Sequence, residues 1–207
     1  MKSVEDLKIE DLKKHFKDTH FKIFENLDAY FWVASGSVRD FFTGEEPKDI
    51  DIFFSEPAGY ELAKDFLISE THGKVVKDSS PNPRSRFWFK KQGITYDIAC
   101  WNGHGDPACL ANNPSDCIKD FDYTVEMAAL DSNLVFYSHP DFFEHVEKRL
   151  LVRPKPITDM WLITNIRRLN KYLKRGYNID KDNLIKYLDD QEATFEYRKQ
   201  FWTKDKK

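Results

Sequence analysis

The sequence predicts a chain of the α/β (α+β) class, in which a mixed sheet with flanking helices is followed by a short helical segment. Three observations support this. Short runs rich in β-branched and aromatic residues recur between residues 30 and 100, as is typical of strands. Stretches with apolar residues at helical spacing lie between several of these runs. Beyond Pro154 and Pro156 the pattern is helical throughout, so we expect segments 1–28, 29–153 and 154–207.

The first half of the chain predicts helices alternating with short strands. Apolar residues recur at helical spacing before residue 28, and Gly44 is placed to close a short helix. Gln92-Gly93 lies between two strand-like runs, which indicates a hairpin. The expected elements are helix 1–28, strand 30–34, helix 38–43, strand 49–54, helix 57–68, strand 74–77, loop 79–84, and hairpin strands 86–90 and 94–100.

The second half predicts mainly helices. A stretch rich in Gly, Asn, Pro and Asp indicates a loop, and helical periodicity follows it. The expected elements are loop 101–116, helix 118–130, strand 133–137, helix 142–152, and two helices near 157–175 and 181–200.

Composition excludes several functional classes. The 207 residues carry a formal net charge of −3 and a pI near 6.1, which gives no global attraction to nucleic acid. Lys and Arg are more frequent between residues 148 and 175, where a solvated helical face is the favoured interpretation. No run of about 18 apolar residues exists, so no membrane span or membrane partner is expected. A charged N-terminus and three cysteines predict a cytoplasmic protein.

Two aspartates separated by one residue give the strongest chemical signal. Asp49 and Asp51 lie within a strand-like run containing Ile50, Ile52 and Phe53, and alternate side chains of a strand share a face. Two ionised carboxylates held that close repel each other unless a cation lies between them. Mg²⁺ prefers oxygen ligands and often bridges carboxylates to phosphates. The pair therefore suggests metal-dependent phosphoryl or nucleotidyl transfer.

The turn before this strand has the composition of a phosphate site. Gly36 and Ser37 lie where a strand turns into a helix, so free backbone N–H groups can bind an anion there. Arg39 is either a phosphate ligand or one half of a structural ion pair. Two-metal catalysis usually requires a further carboxylate. Asp97 is the candidate, with the exposed side of a hairpin as the alternative.

Two segments resemble a known family. Residues 36–40 (Gly-Ser-Val-Arg-Asp) and 48–51 (Lys-Asp-Ile-Asp) resemble the head-domain signature of the class II poly(A) polymerase and tRNA nucleotidyltransferase (CCA-adding) family. Residues 122–129 resemble a helix of the same family from its Asp onward. The resemblance covers roughly residues 30–176 and implies a nucleotidyltransferase (polymerase-β-like) head at 29–153, followed by a neck-like segment.

The same resemblance implies roles for individual residues. It makes Asp49, Asp51 and Asp97 both the catalytic residues and the ligands of Mg²⁺ in a two-metal site. It implies that an NTP, with ATP as one candidate, is the substrate. The residues it places at the nucleotide are Gly36, Ser37, Arg39, Lys48 and Asp122.

The departures from the family concern base selection. Asp120 and Phe121 stand where the family has two arginines, and Glu126 replaces an Asn. The family reads the incoming base with a Glu-Asp-x-x-Arg motif, and Leu162 falls at its arginine. The resemblance therefore implies that the catalytic part is retained and that the C-to-A templating residues are absent.

These observations predict a Mg²⁺-dependent nucleotidyltransferase that moves NMP from an NTP to an acceptor hydroxyl and releases pyrophosphate. By resemblance the acceptor is an RNA 3′ end, with a protein or small-molecule hydroxyl left open. The alternative from another class is a catalytically silent nucleotide- or RNA-binding module on the same fold. The sequence indicates neither the base nor the oligomeric state.

Overall fold

The computed structural model describes residues 3–70, 74–78, 86–91, 93–100, 113–154 and 162–202. The chain forms two compact units, residues 1–121 with 126–142, and residues 122–125 with 143–207. The segment boundaries expected from the sequence stay predictions. The expected loop at 79–84, most of the one at 101–116, and the start of the helix at 157 lie outside the described residues. Among the described helices, none has the length and apolarity needed to span a bilayer.

The first unit contains a mixed sheet, as predicted. The described strands are ordered β3-β4-β5-β2-β1-β6-β7. Strands β2 and β5 run parallel, while the other neighbouring pairs are antiparallel. The strand bounds are β1 Phe31–Ala34, β2 Asp49–Phe54, β3 Lys74–Asp78, β4 Arg86–Lys91, β5 Ile94–Cys100, β6 Ala128–Asp131 and β7 Phe136–Ser138.

Four of the described helices belong to the same unit as this sheet, and the first is shorter than expected. Their bounds are α1 Val4–Asp18, α2 Gly36–Thr43, α3 Pro57–Glu70 and α4 Pro114–Lys119. The expected single helix over 1–28 is wrong in its second part, since α1 ends at Asp18 and the Thr19 hydroxyl donates to the carbonyl of His15. A separate 3₁₀ turn then packs Phe21 edge-on against Phe31. The chain therefore changes direction to bring these rings to the sheet.

The helix predicted over 118–130 is wrong. The side chain of Asn113 caps an earlier helix, α4, and Pro114 occupies its first turn. A 3₁₀ turn over Thr124–Glu126 follows, and then β6 pairs with β1. Ala129 faces Ala34 across this pair, and both are fully buried. Without β6, the edge of β1 that faces away from β2 would have unpaired backbone groups. Pairing within the sheet therefore overrides the local helical preference of the alanine-rich run at 128–131.

Aromatic side chains pack against both faces of the sheet. On one face Phe31 and Phe54 pack against Phe24 from the 3₁₀ turn, with ring centroids 5.1–6.4 Å apart. On the other face Trp32 stacks on Phe53, with centroids 6.2 Å apart and an interplanar angle of 16°. Helix α4 covers the second face with its buried residues Cys117 and Ile118. The carboxylates described below lie on this second face.

The described residues of the C-terminal part form three further helices, α5 Phe142–Glu147, α6 Leu162–Lys174 and α7 Lys181–Trp202. The helix expected over 142–152 is too long, because Arg149 takes a φ of 49° and the backbone then forms a bridge from Leu150 to Asn178. Tyr123, Tyr172 and Tyr177 make edge-on contacts at the centre of the second unit. The prediction for α7 is confirmed to within two residues.

Candidate active site

Three aspartates lie on one face of the sheet, on neighbouring parallel strands. Asp51 of β2 is the register partner of Asp97 of β5, and Asp49 pairs with Thr95. Adjacent strands are about 4.8 Å apart, so the backbones of Asp51 and Asp97 are immediate neighbours. Asp49 is exposed, Asp51 is half-buried, and Asp97 is only 8% exposed. Asp97 therefore does not lie on an exposed side of the hairpin.

The surroundings of these carboxylates are apolar and electronegative. Asp51 shares its face with Phe53 and with Ala34, its register partner on β1. The pKa of the Cys117 thiol is raised to about 12, chiefly by burial and to a smaller extent by the negative charges of Asp120 and Asp51. Asp51 is therefore close enough to this buried thiol to affect its pKa. A carboxylate cluster in such a place attracts cations.

The donor set fits Mg²⁺ in an open site. Across the part of the chain that the structure describes, no three His, Cys, Asp or Glu side chains form a group that could hold a metal ion. Mg²⁺ does not need such a group, because it keeps several waters and binds through one or two carboxylates together with substrate phosphates. Asp51 and Asp97 place carboxylates in register on adjacent strands, and Asp49 is two residues away on the same face.

The turn between β1 and α2 lies beside the same carboxylates. Ala34, the last residue of β1, pairs with Asp51 in antiparallel register, so the next residues continue toward Asp49. Ser35 caps α2 with φ 66° and ψ −125°, a conformation that favours glycine. The first hydrogen bond of the helix runs from the Arg39 N–H to the Ser35 carbonyl. The N–H groups of residues 36–38 therefore have no partner within the helix.

Gly36 and Ser37 carry features that a ligand at the start of α2 would explain. A Cβ atom placed on Gly36 would meet its nearest neighbour, Nη2 of Arg39, at an ordinary 3.6 Å. The fold itself therefore does not require glycine at this position. The Ser37 hydroxyl is buried, with 2% of the residue exposed, and has no hydrogen-bond partner in the described part of the chain. A buried hydroxyl without a partner is costly, so an external acceptor would stabilise it.

Arg39 is buried in an ion pair with its neighbour. Its exposed fraction is 1%, and Nε and Nη2 donate to Oδ1 of Asp40 at 2.8 and 2.5 Å. Asp40 is 5% exposed, and its carbonyl accepts the N–H of Glu45 after the helix ends. Of the two roles left open for Arg39, this geometry favours the structural ion pair. The pair fixes the first turn of α2.

Lys48 and Asp122 are the two remaining residues that were expected at the nucleotide. Lys48 is exposed and directly precedes β2. Asp122 belongs to the second unit, where Arg168 donates to its Oδ2 and Nη1 of Arg153 lies 3.6 Å from its Oδ1. The structure therefore places the three aspartates on one face of the sheet, and the helix with Gly36, Ser37 and Arg39 directly after the strand next to Asp51. Lys48 immediately precedes β2, and two arginines surround Asp122.

Sequence reasoning missed the partners of Asp122 and the packing of the residues before it. Arg153 is 6% exposed and also donates to Oδ1 of the buried Asn165. Phe121, where the resemblance leads one to expect arginine, packs edge-on against Phe53 at 6.4 Å. Arg168 is 46 residues from Asp122, and no local signal in the sequence links two residues so far apart.

Comparisons with known proteins identify the fold. The structure of the CCA-adding enzyme from Thermotoga maritima in complex with tRNA aligns with a TM-score of 0.63 and 19% identity, over 92% of this chain and 44% of that one. A CCA-adding enzyme with ATP gives 0.63 and 19%, over 92% and 43%. A tRNA-processing enzyme with CTP gives 0.62 and 18%, over 82% and 45%.

Sequence comparison adds nothing to this result. No protein-family model matches the chain, and no curated protein matches it. The chain spans less than half the length of the three structures described above. The resemblance derived from residues 36–51 is confirmed at the level of the fold, which is that of the head region of CCA-adding enzymes.

Proposed function

We propose that this chain is a Mg²⁺-dependent nucleotidyltransferase that transfers NMP from an NTP to an acceptor hydroxyl, with an RNA 3′ end as the acceptor. One observation carries the proposal. Asp49, Asp51 and Asp97 share a face of the sheet, and the open N-terminus of α2 follows the strand next to them. Metal carboxylates and an anion site are the two parts that phosphoryl-transfer chemistry requires.

Each part of the site has a role in this proposal. Asp49, Asp51 and Asp97 would hold Mg²⁺, which when bound neutralises phosphate charge and lowers the pKa of a coordinated hydroxyl. The N–H groups of Gly36 and Ser37 bind phosphate oxygens at the positive end of the helix dipole, and the Ser37 hydroxyl donates to one of them. Arg39 and Asp40 act as positioning residues that keep this turn in place.

The reaction forms one bond and breaks one. The acceptor oxygen attacks the α-phosphorus, the bond between the α-phosphorus and the bridging oxygen breaks, and pyrophosphate leaves with that oxygen. Asp97, the least solvated of the three carboxylates, accepts the hydroxyl proton and passes it to water. Most of the rate enhancement comes from positioning and charge neutralisation.

The neighbouring structures support the substrate classes. Their titles record complexes with CTP, with ATP and with tRNA, so a nucleoside triphosphate and an RNA are the substrates we propose for this chain. The residues that would choose between bases are those that depart from the family, so no single NTP is favoured. Each of the four is therefore tested.

Transfer activity and its dependence on single residues test the proposal. The protein is incubated with Mg²⁺, a single-stranded RNA and each α-labelled NTP, and label in the RNA is measured. Asp51→Asn should reduce transfer by at least about 100-fold, because it removes a charged ligand from the metal site. Asp65→Asn is the matched control, since it removes one exposed carboxylate on α3 of the same unit. Equal activity of Asp51→Asn and the native chain would overturn the proposal.

Gly36→Ala separately tests whether phosphate binds at the N-terminus of α2. The added Cβ has room in the ligand-free fold, so the free energy of unfolding should not fall. The same atom would obstruct a phosphate bound to the helix N-terminus, so the KM for the NTP should rise about tenfold or more. An unchanged KM with native stability would contradict phosphate binding at this turn.

A second candidate is a catalytically silent nucleotide- or RNA-binding module. Phe121 favours it, because this side chain packs against Phe53 where the resemblance leads one to expect arginine. Thermal unfolding with each NTP, with and without Mg²⁺, separates the two. Stabilisation that requires both Mg²⁺ and NTP, together with label transfer, supports the enzyme, whereas stabilisation without any label transfer supports the module. A mass increase of the protein itself after incubation would instead indicate a protein hydroxyl as acceptor.

A further inference from the structure

Helix α6 in the second unit carries only positive charge. Its sequence, LITNIRRLNKYLK, contains four Arg or Lys residues and no Asp or Glu. Arg168 is paired with Asp122. The other three, Arg167, Lys171 and Lys174, are exposed. An excess of three positive charges on one helix contrasts with the net charge of −3 for the whole chain.

These three residues, which we call the α6 stripe, lie on one side of the helix. Their spacing of four and three residues places them within a sector of about 60°. The buried residues Asn165 and Tyr172 lie on the opposite side of the same helix, so packing within the unit holds the stripe toward solvent. The stripe extends over about 10 Å of helix axis.

Helix stability does not account for the stripe. Like charges four and three residues apart each destabilise a helix by a few tenths of a kcal/mol. Lys171 and Lys174 are in the last turn, where the helix dipole stabilises cations. Arg167 is a full turn earlier and gains nothing from the dipole. On an ordinary solvated helix, acidic residues at this spacing would offset the charge, and α6 has none.

We propose that the α6 stripe binds the phosphate backbone of RNA. Its three positive charges lie close enough together to contact neighbouring phosphates of one strand. Lys and Arg supply most phosphate contacts in nucleic-acid complexes, and such contacts are independent of sequence. Two of the three residues are Lys, which protein–protein interfaces disfavour, so an acidic protein fits less well. The inference rests on the proposed function in taking RNA as the acceptor.

The salt dependence of RNA binding tests the stripe without any catalytic step. The full chain is titrated into a labelled single-stranded RNA at several salt concentrations, with no NTP present. Losing three phosphate contacts should reduce the slope of log K against log salt by about 2. For Arg167→Gln, Lys171→Gln and Lys174→Gln combined, this corresponds to roughly 100-fold weaker binding at 0.1 M salt.

A matched variant controls for net charge. Lys8→Gln, Lys14→Gln and Lys17→Gln combined remove the same charge from exposed positions on α1, and this variant should keep the native slope. Arg167→Lys should also keep it, since the charge stays in place. Far-UV circular dichroism verifies that each variant is folded. A stripe variant with the native slope, or equal slope losses in the stripe and α1 variants, would overturn the proposal.

Two further outcomes separate this inference from the proposed function. If the native chain transfers no nucleotide but the stripe variant has a reduced salt dependence of RNA binding, the RNA-binding role of the α6 stripe is supported and the catalytic proposal fails. If transfer occurs and the slope is unchanged in the stripe variant, the catalytic proposal stands and the stripe fails. Binding of a polyglutamate peptide in place of RNA, lost in the stripe variant, would show a protein partner and overturn the inference.

Discussion

Replacement of Arg39 by methionine tests whether this residue holds the turn or binds the substrate. The methionine keeps an unbranched apolar stem in the buried space and removes the guanidinium, leaving the 5%-exposed carboxylate of Asp40 without this partner. Breaking a buried ion pair in this way costs about 3–5 kcal/mol of unfolding free energy. Arg39→Met with Asp40→Leu should recover most of that loss, because no buried charge then remains unpaired.

Urea unfolding monitored by tryptophan fluorescence measures these free energies. Lys13→Met is the control, because Lys13 pairs with Glu10 at 2.9 Å on the surface of α1, where such a pair contributes less than about 1 kcal/mol. The reasoning is refuted if Arg39→Met costs less than about 1 kcal/mol while the KM for the NTP rises. That result would make Arg39 a phosphate ligand instead.

Two further predictions concern strain and acid sensitivity. Ser35→Gly should raise the unfolding free energy by about 1 kcal/mol, because glycine adopts the φ of 66° without the backbone strain that serine has there. A lower unfolding free energy in urea would show that the Ser35 conformation is not strained. Burial lowers the pKa of His20 to about 4, so the stability this residue contributes is complete above pH 6.5 and falls as the pH drops toward 4. Between pH 7.5 and 5 the loss should be about 2 kcal/mol, and His20→Phe should remove most of this dependence; an equally steep pH profile for His20→Phe would contradict it.

Local patterns were sufficient for much of the first unit. Strand β2 was predicted at its observed bounds, since a run of alternating carboxylate and apolar residues between turn residues is typical of a strand. The hairpin around Gly93 and the closure of α2 at Gly44 were equally local, because both glycines have positive φ. The shared face of Asp49 and Asp51 follows from strand geometry alone.

Features that depend on distant parts of the chain were missed. The run before Asp131 became a strand because β1 required a partner about 95 residues away in sequence. The Asp122–Arg168 and Asp122–Arg153 pairs join residues 46 and 31 positions apart. The unusual φ of Ser35 has no signal of its own, because serine is common in ordinary turns.

Following the α- and γ-phosphates of the NTP separately is the most direct test of nucleotidyl transfer by this chain. The chain is incubated with Mg²⁺, an NTP labelled at both the α- and γ-phosphates, and RNA ending in a 3′-hydroxyl or a 3′-deoxy group. Nucleotidyl transfer predicts that α-label enters only the hydroxyl-ended RNA and that γ-label leaves in equal amount as pyrophosphate. Release of γ-label as inorganic phosphate without incorporation, or no consumption of any NTP, would contradict the account.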